Sequence, residues 1–408
     1  MAVFPFTVRA TDSEGSYADR QFSITVRNSR VERFMLLNAT DAYTSPDATS
    51  WTKRTGQGGT MCAYGNGFWL TVLTNQTNQF GSFSGISIRK STDGINYQFS
   101  PGTSLTFLKS DGTPWSTNLN LFFGMGTPTS GYKLTFWNGK FWFLSPGNTL
   151  TSAVIANTML LWSSPDGLTW TSTVLNTSTS ATNAISMNSV GNIFSVSVSD
   201  GVMMVPNYAL GGTTFCMGWV TSDGVNFTQL KNSASSAATN QYSHSLTRIN
   251  GLYLSMYNQV TGTGTSSYNI YQFSTDGLNW TTAPLPTTPS GSNYSGPFFY
   301  MNGLVYSFYS STVANQPASF LYSSDAINWT IGQFQSSTNA TGSFPYSVVA
   351  KNGLLVAACQ KQMATDLPNS SPGTPTNGIR VSVDGLTFTS VSLPGLPTDL
   401  VSDLAAMS

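Results

Sequence analysis

Short apolar and aromatic runs recur along the chain on either side of two-residue turn signals, and this pattern predicts strands. Phe136-Trp137 and Phe141-Trp142 flank Asn138-Gly139 in this way. The signal returns at Asn66-Gly67, Gly191-Asn192, Asn250-Gly251, Asn302-Gly303 and Asn352-Gly353. Asn-Gly accepts positive φ at both central positions of a tight hairpin, so each pair predicts two antiparallel strands joined by a two-residue loop. Residues 3–28 show a stricter alternation: Phe6-Thr7-Val8-Arg9-Ala10-Thr11-Asp12, a polar turn, then Phe22-Ser23-Ile24-Thr25-Val26. Period two over both runs predicts a β-hairpin.

A second signal alternates with the first. Ser-x-Asp-Gly-x-x-aromatic, or a near variant, occurs seven times, at Asp47, Asp93, Asp166, Asp223, Asp276, Asp325 and Asp384. The six intervals are 46, 73, 57, 53, 49 and 59 residues, the size of one four-stranded blade with its loops. The repeat therefore reads strand, Asn-Gly turn, strand, longer loop, strand, Asp-box, strand. An Asp in a tight turn accepts hydrogen bonds from backbone N–H groups that would otherwise go unpaired, Gly takes the left-handed position, and the aromatic pins the turn to the sheet. These seven aspartates are expected to be structural. Ala48 and Ala326 replace the Gly in the first and sixth boxes, which predicts a slightly different turn there.

Seven boxes and six Asn-Gly turns leave one blade incomplete in sequence order. Arg33 to Thr55 is expected to supply its last two strands, while Asp399 to Ser408 resembles the first strand at Tyr346 to Ala350. Strands from both chain ends would then close the ring. The expected fold is all-β, a seven-bladed propeller over residues 32–408, with a six-bladed ring plus a half-blade as the alternative. Residues 1–31 form a separate hairpin segment, which either docks on a partner or on the propeller, or completes the unfinished blade.

Composition narrows the partners. Only 8% of the 408 residues are charged, with 17 basic and 17 acidic side chains and zero formal net charge, so packed sheets and turn chemistry must hold the fold. No run of Lys or Arg offers a track for a phosphate backbone, which argues against nucleic acid. No apolar stretch approaches the roughly 18 residues of a membrane helix, and the N-terminus lacks a basic segment followed by an apolar core. The chain reads as soluble, without a signal peptide or membrane insertion. Cys62, Cys216 and Cys359 lie in apolar strand-like segments and read as buried hydrophobes. No metal and no cofactor is expected.

The repeats resemble the Asp-box propellers of sialidases, related glycosidases and many non-enzymatic propellers, from about Arg33 to the C-terminus. Residues 3–28 resemble the last two strands of cadherin-like or bacterial immunoglobulin-like modules, in which an Asp such as Asp12 can bind calcium; here it has no companion carboxylates. The Ser/Thr/Asn/Gly-rich composition and the hairpin feeding a propeller resemble, in style, a bacteriophage virion protein.

The sialidase resemblance implies three arginines on a substrate carboxylate, a Tyr nucleophile activated by a Glu, and an Asp acid/base. The propeller has only Arg33, Arg54, Arg89, Arg248 and Arg380, with Glu32 its one Glu. Arg89 and Arg380 lie four residues before Asp93 and Asp384, at the box end that the resemblance places away from the catalytic face. Other glycosidases need two carboxylates at a defined separation. With the boxes set aside, Asp41, Asp111, Asp200, Asp366, Asp399 and Asp403 remain. His244, the single histidine, sits in a strand-like run with no second His to build on. No catalytic residues are therefore expected.

Recognition is expected in the polar inserts Ser100–Ser130, Thr261–Tyr268, Pro284–Gly296 and Met363–Asn377, with Trp115, Tyr268 and Tyr294 as exposed aromatics that could stack on sugars. The functional expectation is a non-enzymatic phage virion structural protein, part of a tail, fibre or capsid appendage. It would reside in the virion, contacting other virion proteins, copies of itself and a host-surface glycan. The alternative is a secreted carbohydrate-binding or sialidase-like carbohydrate-active propeller.

Overall fold

The computed structural model describes residues 2–26, 32–76, 83–101, 105–115, 131–146, 158–177, 193–194, 196–206, 215–232, 240–260, 267–286, 292–311, 319–333, 345–351, 353–362, 376–391, 393–394 and 401–407. The backbone divides into two units, Met1–Val31 and Glu32–Ser408.

In the first unit β1 (Ala2–Thr11) and β2 (Tyr17–Val26) pair antiparallel without a break, from Ala2 opposite Val26 to Thr11 opposite Tyr17. Asp12 shapes the turn, its Oδ1 accepting the N–H groups of Glu14 at 3.0 Å and Ser16 at 2.9 Å. Arg9 and Asp19, opposite in register, form a two-pronged ion pair at 2.7 Å. The hairpin is a two-stranded sheet of its own and contributes no strand to a blade.

The second unit is a ring of seven sheets. Blade 1 holds β3 (Phe34–Asn38), β4 (Ala42–Ser45) and β5 (Thr52–Arg54); blade 2 holds β6 (Met61–Gly65), β7 (Phe68–Gln76), β8 (Phe83–Ser91) and β9 (Gln98–Ser100). Before blade 3 come β10 (Thr106–Leu108) and β11 (Gly131–Tyr132); the blade continues as β12 (Thr135–Trp137), β13 (Lys140–Pro146), β14 (Thr158–Ser164) and β15 (Thr169–Thr177). Then follow β16 (Ile193–Phe194) and blade 4, made of β17 (Ser197–Ser199), β18 (Val202–Pro206), β19 (Phe215–Thr221) and β20 (Thr228–Asn232). Blade 5 is β21 (Asn240–Ile249), β22 (Leu252–Val260), β23 (Ser267–Ser274) and β24 (Thr281–Thr282); blade 6 is β25 (Ser292–Met301), β26 (Leu304–Ser311), β27 (Ser319–Ser323) and β28 (Thr330–Gln333). Blade 7 is β29 (Pro345–Lys351), β30 (Leu354–Gln362), β31 (Thr376–Ser382) and β32 (Thr389–Val391), and β33 (Val401–Ala406) returns to blade 1 as its inner strand, pairing Phe34 with Ala406.

Closure thus joins one strand from the C-terminal end to three from the N-terminal end. Arg33–Thr55 holds three strands rather than the expected two, because the tight Asn38–Asp41 turn between β3 and β4 carries no Gly or Pro to mark it. In it Asn38 Oδ1 accepts the N–H of Thr40 and of Asp41. Blade 3 also gains a fifth strand, β10, laid parallel along β15, and β11 pairs parallel with β16 just ahead of two neighbouring inner strands.

Each box is a cage around one carboxylate oxygen. In all seven, Oδ1 accepts the N–H groups two and three residues ahead, at 2.7–3.0 Å. The Ser or Thr two residues back donates to the same oxygen. Where Asn stands three residues on, its Nδ2 also donates to Oδ2. These donors hold the Asp223 and Asp276 carboxyls well below the usual range. At Asp93 burial pushes upward, but the N–H groups of Asn96 and Ile95 outweigh it, leaving a value of about 2.

The alanine boxes do not use a different turn. Ala48 and Ala326 have φ of 64° and 61°, beside 73–78° for the five box glycines, and their methyls are buried between blades. One hairpin assignment also changes: β17 and β18 are joined by Asp200-Gly201, with φ of 49° and 74°. Gly191-Asn192 lies outside the described residues.

Aromatic packing fills the blades. In blade 3, Phe143 stacks on Trp162 at 6.0 Å and meets Trp170 edge-on at 5.0 Å. All three are buried in a core that continues into blades 2 and 4.

Candidate functional site

Antiparallel order sorts the connections of each blade to two ends. First-to-second and third-to-fourth turns share one end; second-to-third turns and the links to the next blade share the other. The Asn-Gly turns and the boxes therefore gather at a single end of the ring. There they hydrogen-bond to one another: Asn66 Nδ2 donates to Gly139 O and Pro165 O, Asn138 Nδ2 to Asp223 O, and Asn302 Nδ2 to Val383 O. Each bond ties the hairpin of one blade to the next blade, so this end is committed to holding the ring.

The opposite end is described best at blade 1. There Asp41 Oδ1 accepts the Gly56 N–H at 3.0 Å and its Oδ2 pairs with Lys53 Nζ at 3.0 Å. Burial pushes the carboxyl up, but the Gly56 bond and Lys53 prevail and its pKa falls below the usual value. Gly58 and Gly59 donate to Thr40 O and Asn38 O, and a side chain at Gly58 would strike that backbone. Asp41 is thereby spent on the corner between blades 1 and 2.

A second cluster lies among the inner strands. Asp403 of β33 is buried, and its Oδ2 accepts the Cys62 N–H of β6 at 3.0 Å. Its Oδ1 accepts the Leu404 N–H at 2.8 Å and faces the Ser347 hydroxyl of β29 at 3.3 Å. Lys133, just ahead of β12, donates from Nζ to Val348 O of β29 at 3.3 Å. Burial pushes the Asp403 carboxyl up to about 6 against the pull of Lys133 and the N–H donors. The sequence reading had placed Asp403 only among the leftover carboxylates; its setting in the apolar run Val401-Ser402-Asp403-Leu404-Ala405-Ala406 was the available signal.

The other candidates are dispersed. Asp111 accepts the N–H and hydroxyl of Thr113 in its own turn, and Asp200 Oδ2 accepts the Gly251 N–H at the box end. Asp366 and Asp399 lie outside the described residues. Arg54 pairs with buried Glu32 at 3.1 Å, Arg89 donates to Gly58 O, Arg248 lies over the Tyr253 ring, and Arg380 is buried in β31. These four belong to four different blades. Trp115 is part-buried: its Nε1 donates to Ser172 Oγ at 3.1 Å, Trp162 lies 6.3 Å away, and Lys109 sits over its face. Tyr268 and Tyr294 belong to strands, opposite Gln259 and Tyr309, rather than to loops. His244 falls in β21 where the register shifts between Ser243 and Ser245. Cys62 and Cys216 are buried free thiols, and no group of three or more metal-ligating side chains occurs among the described residues.

No family model matches this sequence, and no curated protein sequence matches it. Solved structures do resemble its fold. An α-L-arabinanase of Penicillium chrysogenum complexed with arabinobiose is 13% identical over 80% of this chain and 93% of its own, with a TM-score of 0.44. An α-L-arabinofuranosidase of Fusarium graminearum is 13% identical over 87% of this chain and 97% of its own, with a TM-score of 0.41. A GH32 β-fructofuranosidase of Bombyx mori is 11% identical over 66% of this chain and 64% of its own, with a TM-score of 0.34. These neighbours are glycosidases and none is a virion component, so the expectation of a non-enzymatic virion part is withdrawn. At such low identity the likeness speaks to the fold alone. By its own sheet order the chain is a seven-bladed β-propeller.

Proposed function

We propose that this protein is a carbohydrate-active propeller that engages a neutral glycan at the end of the ring opposite the Asp-boxes. The observation that carries the reading is the composition of the segments that link strands at that end. Strand ends on that side are joined by segments outside the described residues, such as 116–130, 147–157, 178–192, 334–344 and 363–375. Their sequences are rich in Ser, Thr, Asn and Gly with interspersed aromatics, and those of all the linking segments at this end that lie outside the described residues contain no Lys, Arg, His or Glu. The only side chains in them that are charged at neutral pH are Asp366 and Asp399. Hydroxyl and amide groups both donate and accept hydrogen bonds, as sugar hydroxyls do. Those segments offer no cation to the carboxylate of an acidic sugar, and Lys53 and Arg54 beside them are already paired with Asp41 and Glu32, which speaks against sialidase chemistry.

The test is incubation of the purified chain with neutral polysaccharides, arabinan, β-1,3-galactan and fructan among them, and with acidic ones, following retention and release of reducing sugar. Saturable binding to, or release from, a neutral polymer is the expected result, and Asp366→Asn and Asp399→Asn are the variants to assay for loss of release. Neither binding nor release from any polymer overturns the reading; action confined to acidic polymers overturns its neutral-glycan part.

A further inference from the structure

β33 closes the ring by joining blade 1 as its inner strand. In blade 1, β33 is paired to β3 by backbone bonds on one side. Leu404 and Ala405 pack against blades 7 and 2, and one polar side chain of β33 reaches both. Asp403 accepts the Cys62 N–H from blade 2 and faces the Ser347 hydroxyl from blade 7, whose oxygen in turn accepts the Leu404 N–H at 3.2 Å. A single buried carboxyl group thus touches both flanking blades.

We propose that Asp403 is a pH-responsive latch on the closing strand of the ring. The groups around it define how it responds. β3 carries no titratable side chain. From β6 comes Cys62, whose thiol is raised well above its ordinary range by burial and stays neutral. β29 offers the Ser347 hydroxyl, with Lys351 at its far end, and β30 carries Cys359 and Lys361 in its sequence. Lys133, reaching across from blade 3, is a cation whose field pulls the carboxyl down.

Because burial raises the folded-state value to about 6 from an ordinary 3.8, the neutral form is the one the closed ring prefers. The sign follows directly. The contribution is fully present below the unfolded value, and it is lost as pH rises through the folded one. Two pH units of separation correspond to a change on the order of 100-fold in the closing equilibrium. The ring is latched in mild acid and loosened toward neutrality, with Lys133 limiting the loss.

The experiment is hydrogen exchange of the β33 amides, corrected for intrinsic rates, together with thermal unfolding between pH 4 and pH 8, on the wild type, Asp403→Asn and Lys133→Met. Wild-type protection of β33 should fall by roughly 100-fold across pH 4–7, and Asp403→Asn should show no such step. Lys133→Met removes the favourable cation and should move the step to higher pH while leaving its direction unchanged, a readout that a merely structural lysine would not alter; it also serves if the Asn variant fails to fold. A step of equal size in Asp403→Asn, or β33 protection that does not change with pH in the wild type, overturns the proposal.

Discussion

Removing the Tyr306 hydroxyl should stabilise the propeller, although it deletes an atom from the core. Tyr306 of β26 is fully buried and its Oη has no hydrogen-bond partner among the described residues. Burial, and then the charge of Asp384, push the phenol up to about 12, so the group stays a neutral, unpaired dipole. A buried polar group left unsatisfied costs about 1–3 kcal/mol. Tyr306→Phe keeps the ring that packs against Phe320 at 6.1 Å, and should gain about 1 kcal/mol by shedding that cost. The same hydroxyl lies where a methyl on Gly385 would be, and Gly385 has φ of 78°. Gly385→Ala should therefore lose about 1–2 kcal/mol to the left-handed backbone and a further ~1–3 kcal/mol to overpacking. In the Tyr306→Phe background part of the overpacking disappears, giving a coupling of about 1 kcal/mol. Urea unfolding of the four proteins of this cycle measures both quantities. A Tyr306→Phe variant less stable than wild type would show that the hydroxyl has found a partner, and strictly additive losses would show that the two groups do not meet.

Asp93→Ala should cost about 1–2 kcal/mol at neutral pH, as loss of an N-cap does, because the Ile95 and Asn96 N–H groups lose their acceptor. Its folded value of about 2 lies below the unfolded one, so the wild-type advantage should persist above pH ~4 and vanish as pH falls toward 2; an advantage unchanged at pH 2 would refute the cage. Ala48→Gly and Ala326→Gly should be nearly neutral, since relief of about 1 kcal/mol of backbone strain offsets the loss of about 0.8 kcal/mol from a buried methyl. Denaturant midpoints displaced by more than ~1.5 kcal/mol in either variant would show that one term had been misjudged.

The ring was legible because its two turn motifs state their own geometry. Asn-Gly and Ser-x-Asp-Gly each demand positive φ at a fixed place, and five box glycines and four Asn-Gly pairs take it. What failed were choices between equivalent local signals. Gly191-Asn192 and Asp200-Gly201 are both hairpin dipeptides, and only the apolar run Val202-Met203-Met204-Val205 directly after the second favours it. The Asn38–Asp41 turn went unseen because Asn38 supplies by side-chain acceptance what Gly usually supplies by freedom. The Asp403 cluster was hidden for another reason. Its partners are 341 and 56 residues away in sequence, at Cys62 and Ser347, and no local pattern encodes a contact made only when the ring closes. The aromatic candidates were chosen as loop residues, yet Trp115 is held by Ser172 and Trp162, a reminder that a lone Trp in a polar insert can be an anchor for that insert.

Scarcity of charge makes the pH response of this ring unusually readable. With one histidine and 17 acidic residues in the chain, the carboxylates that folding perturbs most are the box aspartates and Asp403, and they pull in opposite directions. The boxes hold their carboxyls low, so their contribution is complete above pH ~4 and is lost on further acidification. Asp403 is held high, so its contribution is complete below pH ~4 and drains away as pH rises through about 6. The sum has its maximum between these windows, in mild acid, rather than in the neutral range where many proteins are most stable. Denaturant unfolding at pH 3, 5 and 7 locates it: highest stability at pH 5 is expected, because seven boxes outweigh one Asp403, and Asp403→Asn should flatten the fall from pH 5 to 7 and steepen the fall from 5 to 3. A wild-type maximum at pH 7 would mean that solvent reaches Asp403 and that burial does not govern its charge.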